Sequence, residues 1–226
     1  MLQNDISFMN EISQICEAVG ANVNSVRDGM GADSRIGYQY LYPSVGYGGS
    51  CFPKDLRAIS NLAKGYNYET KIINSTIEVN TNQIIHFTNR VKKYLSSIKG
   101  TKKIGVWGLS FKPETDDIRE APSIYLIREL LDMNVEISAY DPKAINNFNL
   151  FMNNDKIIYK DNKYDAIKDA DCMILLTEWQ EFRSPDFKSM SKMMKEAVIF
   201  DGRNIYNEKD LTSLGFTYNQ VGVLRK

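Results

Sequence analysis

The pattern of apolar residues changes at Gly100-Thr101, and this change constrains the fold more than any other feature of the sequence. Before it, apolar residues recur every three or four positions, as they do on amphipathic helices. After it, short apolar runs alternate with helical stretches, which predicts right-handed crossovers and a parallel sheet. We therefore predict an α/β chain with an all-helical domain over residues 1–100 and a Rossmann-like parallel-sheet domain over residues 101–226.

Four helices are predicted in the first domain. The first covers residues 6–19, the second opens at Asn22, and the third begins at Pro53, which a first helical turn tolerates. Residues 68–97 contain neither glycine nor proline and predict one long helix that joins the two domains. The apolar faces are assigned to Ile6, Met9, Ile12, Ile15, Cys16 and Val19 in the first helix, Leu56, Ile59, Leu62 and Ala63 in the third, and Ile72, Ile73, Ile77, Val79, Ile84, Ile85, Phe87 and Val91 in the fourth.

Five strands are predicted in the second domain, each as a short apolar run bounded by turn residues. An amphipathic helix at 123–131 follows the first strand, as a parallel sheet requires. The predicted strands are 103–108, 135–140, 156–159, 172–176 and 198–201.

Composition argues against several classes of protein. The 28 Lys and Arg residues balance the 28 Asp and Glu residues, so neither a nucleic acid nor a membrane surface is expected as the partner. No stretch approaches the roughly 18 apolar residues of a membrane span, and the N-terminus lacks a signal-peptide pattern. The three cysteines suit a reducing, cytoplasmic compartment, and their spacing predicts no metal site.

The first strand of the second domain does not carry a dinucleotide fingerprint, because its glycines at 105 and 108 do not fit Gly-x-Gly-x-x-Gly. Ligands of parallel sheets still bind outside the carboxyl ends of the strands. Lys112, Arg119 and Arg203 would surround an anionic ligand there, such as a nucleotide diphosphate; the alternative is that each is a solvated surface charge. The segments that follow the strands are 111–112, 177–179 and 201–203.

Cys51 differs from the other two cysteines in its surroundings. It follows glycines 46, 48 and 49 and precedes the predicted helix start at Pro53. A thiol at a helix N-terminus lies near free N–H groups and the positive end of the helix dipole, which favour the thiolate. With Lys54 nearby, Cys51 is a candidate nucleophile; the alternative is a structural glycine turn with a bystander cysteine.

The remaining cysteines and the histidine do not extend this site. Cys16 and Cys172 lie in apolar segments and are predicted to be small core residues. His86, which is the chain's single histidine, falls within the long helix and is expected at a surface or an interface. A cysteine–histidine pair of the papain type is therefore not predicted.

Several motifs of the chain resemble those of the UDP-glucose/GDP-mannose dehydrogenases. The cysteine loop is similar to the family's catalytic cysteine signature, and within the family it looks most like that of the members that oxidise UDP-glucose. The resemblance covers nearly the whole chain. The motifs are Tyr-Gly-Gly-Ser-Cys-Phe-Pro-Lys-Asp at 47–55, Gly-Leu-Ser-Phe-Lys-Pro at 108–113, Thr-Asp-Asp-Ile-Arg-Glu-Ala-Pro-Ser at 115–123, Thr-Glu-Trp at 177–179 and Phe-Asp-Gly-Arg at 200–203.

The resemblance implies an NAD-dependent, two-step oxidation of UDP-glucose to UDP-glucuronate that consumes two equivalents of NAD. Cys51 would trap the intermediate aldehyde as a thiohemiacetal and then form a thioester, while Asp55 would orient the hydrolytic water. The long helix and its domain would form a homodimer. The residues implied to hold the substrate are Tyr42, Pro43, Ser44, Val45, Gly46, Tyr47, Gly48, Phe111, Lys112 and Arg203, with Arg35 reaching in from the neighbouring subunit, and Lys54 and Arg119 contacting NAD.

Family members begin with an NAD-binding domain that carries Gly-x-Gly-x-x-Gly, and this pattern does not occur in the 226 residues. We therefore expect the central and C-terminal domains of such a dehydrogenase, without turnover by this chain alone. Two alternatives stay open at this stage. The chain could be a non-catalytic module for nucleotide-sugar binding and dimerisation, or one half of a split dehydrogenase.

Overall fold

The computed structural model describes residues 2–224. Its first part contains the four predicted helices, and a six-stranded parallel sheet follows, which confirms the predicted fold class. Every helix within this part of the chain is too short or too polar to span a lipid bilayer. The helices of the first part are α1 (Leu2–Val19), α2 (Val23–Gly31), α3 (Phe52–Gly65) and α4 (Lys71–Ser96).

The sheet contains the five predicted strands and one more. β6 was missed because it is a polar edge strand, in which Tyr218 is fully buried but Thr217 is exposed. It pairs in parallel with β5 from Val198 opposite Thr217 onwards. The strands are β1 (Lys102–Trp107), β2 (Val135–Tyr140), β3 (Ile157–Tyr159), β4 (Cys172–Leu175), β5 (Val198–Asp201) and β6 (Thr217–Gln220), in the spatial order β3-β2-β1-β4-β5-β6.

The strand order defines where a ligand can enter. The chain passes outwards from β1 to β3 and then returns to place β4 directly beside β1. The loops after β1 and β4 therefore diverge and leave a crevice at the carboxyl edge of the sheet. The helices of this part are α5 (Pro122–Leu131), α6 (Ile145–Met152), α7 (Lys163–Ile167), α8 (Phe187–Met193) and α9 (Glu208–Ser213), with a 3₁₀ turn at Gln180–Phe182.

The predicted apolar faces of the first helices were partly wrong. Ile15 on α1 and Ile72 on α4 are exposed, because these two helices pack against each other through polar side chains. Leu62 on α3 is also exposed. The Ser7 hydroxyl donates to the carbonyl oxygen of Thr76 (3.0 Å). The buried positions are Ser7, Asn10, Ser13 and Glu17 on α1 and Thr76, Asn80, Gln83 and Thr88 on α4, together with Met9, Cys16, Phe87, Val91 and Leu95.

The last turns of α4 belong to the core of the sheet. Phe87, Val91 and Leu95 are buried in one cluster with residues of β1, β2, β4 and α5. The Tyr94 hydroxyl also donates to the carbonyl oxygen of Asp171, just before β4 (2.9 Å). The long helix lies before residue 100 in the sequence but contributes to the core of the sheet that follows. The division into two domains at residue 100 therefore stays a prediction.

A buried charged cluster connects the helical part to the end of the sheet. The Glu17 carboxylate lies 2.6 Å from both His86 Nε2 and Arg90 Nη1 and accepts from the Gly222 amide (2.9 Å). Burial alone would raise the pKa of Glu17, but the His86 hydrogen bond, the Arg90 charge and the Gly222 amide together hold this pKa below its ordinary value. His86 is thus a half-buried partner of Glu17, within the helix where it was predicted.

Glu17→Gln should destabilise the fold at neutral pH, because it leaves the Arg90 charge buried without its carboxylate. We expect a loss of about 2 kcal/mol in the free energy of unfolding, at the low end for buried pairs because His86 and Arg90 are partly exposed. Since the pKa of folded Glu17 is lowered, its contribution is present above about pH 4.5 and is lost as the pH falls through the folded value. Urea unfolding at neutral and acid pH measures both effects.

Glu11→Gln is the matched control, because Glu11 is exposed on the same helix. It should leave the unfolding midpoint unchanged at either pH. A Glu17→Gln protein as stable as the parent chain at neutral pH would contradict the role given to this cluster.

Candidate active site

Cys51 lies at the surface, at the point where an irregular loop enters α3. It is the N-cap residue of that helix, and its carbonyl oxygen accepts from the Asp55 amide (2.9 Å). The thiol is exposed, whereas Cys16 and Cys172 are buried, as predicted for core residues. Burial raises the pKa of both core thiols. Cys51 is therefore the accessible thiol of the three, and its role as nucleophile stays a prediction.

Amide side chains of the helices hold the loop before Cys51. Asn80 accepts from the Tyr47 amide (2.9 Å) and donates to the Tyr47 carbonyl oxygen (3.0 Å). Gln83 donates to the carbonyl oxygen of Ser44 (2.8 Å), and Asn10 accepts from the Ser44 amide (2.8 Å). These bonds satisfy a buried, irregular backbone segment, which otherwise could not leave water.

The same loop also touches the sheet part through its backbone. The Gly49 amide donates to the Arg119 carbonyl oxygen (2.8 Å), and the Val45 amide donates to Gly202 (2.7 Å). A Cβ atom on Gly48 would lie 2.2 Å from the carbonyl oxygen of Glu120. Position 48 therefore requires glycine, because only a bare backbone fits against this segment.

A cavity of about 940 Å³ opens in front of Cys51, between the loop and the carboxyl edge of the sheet. It brings together residues from distant parts of the sequence, and most of the predicted substrate residues are among them. Their roles in binding stay predictions. The predicted residues that line the cavity are Tyr42, Pro43, Ser44, Tyr47, Gly48, Cys51, Phe111, Lys112 and Arg203.

Three predicted substrate residues lie elsewhere. Val45 is fully buried against Gly202, and a side chain on Gly46 would meet Ile84. Arg35 is exposed and pairs with Asp33 of its own loop through bonds that include Nε to Oδ1 (3.0 Å). Arg35 does not line the first cavity of its own chain.

The residues predicted to contact NAD line a second cavity, of about 740 Å³, on the other side of the loop. Lys54 and Arg119 both border it, and both are largely exposed. Lys54 lies 3.3 Å from the Asp55 carboxylate, so these two predicted residues pair with each other. Asp117 is the main cause of the raised pKa of Arg119, and the charge of Cys51 contributes less, which places Arg119 within electrostatic reach of the thiol.

The loop after β1 is fixed by one buried carboxylate. Asp141, at the end of β2, accepts from the amides of Leu109 (2.7 Å) and Ser110 (3.1 Å) and from the Trp179 indole (3.1 Å). The carboxylate thereby connects the segments that follow β1, β2 and β4. Because Phe111 and Lys112 come directly after these amides, Asp141 sets where they meet the cavity.

Arg203 is held in place by main-chain carbonyls. Its Nε donates to Leu176 (2.7 Å), its Nη2 donates to Phe111 (3.2 Å), and Glu178 lies 3.1 Å from Nε. The fully buried Asp201 accepts from the Arg203 amide (2.8 Å) and so orients the turn. Burial raises the pKa of Asp201.

Sequence reasoning missed several residues that line the first cavity. Glu178 stands in the Thr-Glu-Trp motif after β4 but was given no role. Arg183 lies five residues after Glu178 and was not considered. Glu178 comes soon after a predicted strand, which was the available signal for it, whereas no local pattern marks Arg183. Arg27, which contacts a cavity residue rather than the cavity, was also missed. Its guanidinium lies 4.4 Å from the ring centroid of Tyr42 and stabilises the position of that ring.

The fold and the site define an α/β protein that presents an exposed thiol to a cationic cavity at the carboxyl edge of a sheet. Residues 1–82 match the central domain of the UDP-glucose/GDP-mannose dehydrogenase family, and residues 105–208 match the UDP binding domain of that family. The chain belongs to this family of NAD-dependent nucleotide-sugar dehydrogenases, which confirms the resemblance found in its motifs.

Relatives with assigned names support the same grouping. The chain is 38% identical over 221 residues to the UDP-glucose 6-dehydrogenase TuaD of Bacillus subtilis, covering 98% of this chain and 48% of TuaD. It is 40% identical over 221 residues to YwqF, a UDP-glucose 6-dehydrogenase of the same organism, covering 98% of this chain and 50% of YwqF. A solved UDP-glucose dehydrogenase from Pyrobaculum islandicum superposes with a TM-score of 0.85 at 27% identity, covering 99% of this chain and 49% of that one. The chain thus spans about half the length of the relatives it matches.

The described residues do not fit a whole NAD molecule. A dinucleotide requires a glycine-rich turn that leads directly from a strand into a helix N-terminus. Here residues 108–121 separate β1 from α5, and Gly48 lies against the end of that segment. The second cavity offers the cations Lys54 and Arg119 to an anionic ligand but no such turn.

Gly48→Ala should destabilise the protein, because the added methyl group overlaps the Glu120 carbonyl oxygen. We expect a loss of about 2–3 kcal/mol, as for other overpacked sites, measured by urea unfolding. Gly29→Ala is the control: its Cβ would meet no atom within 4 Å, and alanine in a helix should stabilise by about 0.5–1 kcal/mol. Equal stability of the two variants would contradict the close approach of loop and sheet.

Cys51 should be the thiol that iodoacetamide modifies in the folded protein, because Cys16 and Cys172 are buried. Peptide mapping after brief alkylation should find the label at position 51, and Cys51→Ser should abolish the rapid reaction. Labelling of Cys16 at the same rate under native conditions would be inconsistent with this burial.

Proposed function

We propose that the first cavity binds UDP-glucose and that Cys51 is the covalent nucleophile of a UDP-glucose 6-dehydrogenase reaction. One observation carries the proposal: the single exposed cysteine among residues 2–224 lines a cavity that also contains Lys112 and Arg203. The named relatives support the choice of sugar.

Cys51 acts after the C6 alcohol has become an aldehyde. The thiolate adds to the carbonyl carbon, the carbon–sulfur bond forms, and the carbonyl oxygen takes up a proton to give a thiohemiacetal. Oxidation of that carbon, with loss of a hydride and of the hydroxyl proton, would then give a thioester. The described residues do not fit a whole NAD molecule, so NAD would have to be held by further residues, and it would then supply the hydride acceptor for both oxidations.

Hydrolysis completes the reaction. Water adds to the thioester carbon, the carbon–sulfur bond breaks, and the Cys51 thiolate leaves as the carboxylate forms, while both protons of the water pass to solvent. Asp55 lies in the first turn of α3, four residues after Cys51, and we assign it the orientation of this water. The Lys54 ammonium forms an ion pair with the Asp55 carboxylate, 3.3 Å away. Arg119 borders the second cavity together with Lys54 and would offer a positive charge to an anionic ligand there.

Turnover by the 226 residues themselves is not part of the proposal. The fingerprint that positions a dinucleotide does not occur in this sequence, so hydride transfer needs NAD held by residues outside it. This chain would bind the nucleotide sugar and present Cys51. The two alternatives, a binding module and one half of a split dehydrogenase, also predict that this chain binds the nucleotide sugar without turnover.

A homodimer is the second element of the proposal. Apolar side chains on α3 and α4 are exposed, including Ile59, Leu62 and Ile72, and a second copy would cover such a face. Arg35 is largely exposed but paired with Asp33 within one chain, so its guanidinium would have to leave that carboxylate to reach the substrate of a neighbouring subunit.

UDP-glucose should bind to this chain without turnover. Calorimetric titration should detect a single site per chain, while addition of NAD should produce no absorbance of NADH. Cys51→Ser should bind UDP-glucose within about twofold of the parent chain, because the thiol contributes to chemistry rather than to phosphate binding. Absence of UDP-glucose binding would refute the proposed site. NADH formation would refute the proposal that NAD must be held by residues outside this sequence.

A further inference from the structure

The crevice between β1 and β4 is the point where the chain reverses its direction across the sheet. Lys112 follows β1, and Arg183 follows β4, so the two side chains come from opposite sides of this crevice. Both line the cavity in front of Cys51. A ligand placed at the switch point of a parallel sheet contacts the loops on either side of it.

The cavity carries a net positive charge. Among residues 2–224, the charged side chains that line it are Lys112, Glu178, Arg183 and Arg203. Three cations and one carboxylate leave a charge of about +2, which matches the two negative charges of a diphosphate esterified at both ends. The cavity is therefore suited to a nucleotide diphosphate sugar on electrostatic grounds.

The three cations differ in how many of their donors are in use. Arg203 donates to the carbonyl oxygens of Leu176 and Phe111, and its Nε lies 3.1 Å from Glu178. In the described part of the chain, the Lys112 and Arg183 side chains form neither a salt bridge nor a hydrogen bond. Lys112 Nζ lies over the Phe111 ring, 5.4 Å from its centroid. These contacts leave the N–H donors of both side chains available to a ligand.

The backbone around Arg183 is firmly placed. The preceding residue, Phe182, is fully buried and stacks on Trp107 with ring centroids 5.1 Å apart. The Tyr206 hydroxyl donates to the Phe182 carbonyl oxygen (2.8 Å), and the Arg183 amide donates to Gln180 (3.2 Å). Arg183 thus extends a flexible side chain from a rigid base at the rim of the cavity.

We propose that Arg183 is a phosphate-binding residue of this cavity, which acts with Lys112 across the crevice on the diphosphate of the nucleotide sugar. The inference rests on the proposed function, since it assigns a further binding residue to the same site. An arginine offers two parallel N–H donors to a phosphate and cannot lose its charge near neutral pH. Arg203 then acts mainly to hold the loop that carries Lys112.

The test compares UDP with uridine, because only the former carries the phosphates. Calorimetric titration of the full chain should show that Arg183→Gln weakens UDP binding about ten- to a hundredfold, the loss expected for charge-assisted hydrogen bonds. Uridine binding should change less than about twofold, and the dependence of UDP binding on salt should become shallower. Arg183→Lys should recover part of the lost affinity, because it restores the charge without the planar pair of donors.

Lys192→Gln is the control for charge, because Lys192 is exposed on α8 and lines neither of the two cavities at the cysteine loop. It should leave UDP binding unchanged. An Arg183→Gln chain that binds UDP as tightly as the parent, or that loses uridine and UDP binding equally, overturns the assignment. A parent chain that binds neither compound overturns the proposed function itself, so the two failures are distinguishable.

Discussion

The geometry of the site depends on the hydrogen bonds that Asn80 and Gln83 make to the backbone before Cys51. These residues lie on α4, where a helix of this length would ordinarily present apolar side chains to its neighbours. A buried hydrogen bond adds only about 1 kcal/mol of net stability, but a buried group left without a partner costs about 1–3 kcal/mol. The main effect of the Asn80 and Gln83 side chains is therefore not the stability that their hydrogen bonds add. It is that these bonds allow the irregular segment from Ser44 to Tyr47 to be buried.

The position of this segment also determines how the helical part meets the sheet. The Val45 amide donates to the carbonyl oxygen of Gly202. Just after the segment, the Gly49 amide donates to the carbonyl oxygen of Arg119, and Gly48 lies against Glu120. On the other side, Asp141 holds the loop after β1 through two of its amides. The cavity is thus bounded by two backbone segments that are each held by buried polar side chains. Rearrangement of either segment would leave buried polar groups without partners, which favours one fixed geometry over several.

Much of the fold could be predicted from the sequence, because apolar runs identify buried parallel strands and the long segment without glycine or proline identifies α4. The orientation of the helices could not. Ile15 and Leu62 continue the apolar spacing yet are exposed, while Asn10 and Gln83 are buried. A prediction from periodicity takes the apolar positions of a helix to be the buried ones. Here the helices pack through polar side chains that hydrogen-bond to the loop before Cys51. Polar residues at helical spacing within an otherwise apolar stripe would have been the better indicator.

The site was predicted unevenly for a related physical reason. Cys51 stands out by local sequence, since a glycine-rich turn and a helix start are adjacent to it. Arg183 does not, because its place beside the cavity arises only when β4 returns next to β1. A strand order is a property of the folded chain, and no local pattern around Arg183 specifies it. The motif residues Lys112 and Arg203 were found because they directly follow strands that could be recognised.

Under the proposed function, binding and chemistry would fall to different parts of the chain. The cations come from loops of the sheet, whereas Cys51 comes from the helical part and contacts the cavity through a loop fixed to both. A ligand that touches both parts binds only when they hold their native arrangement, so binding and the association of the two parts must strengthen each other. Because Glu17 and Gly202 help to maintain that arrangement, residues that do not line the cavity would contribute to affinity without contacting the ligand. The nucleotide would then hold the thiol in register with the sugar, which is the condition that covalent catalysis at Cys51 requires.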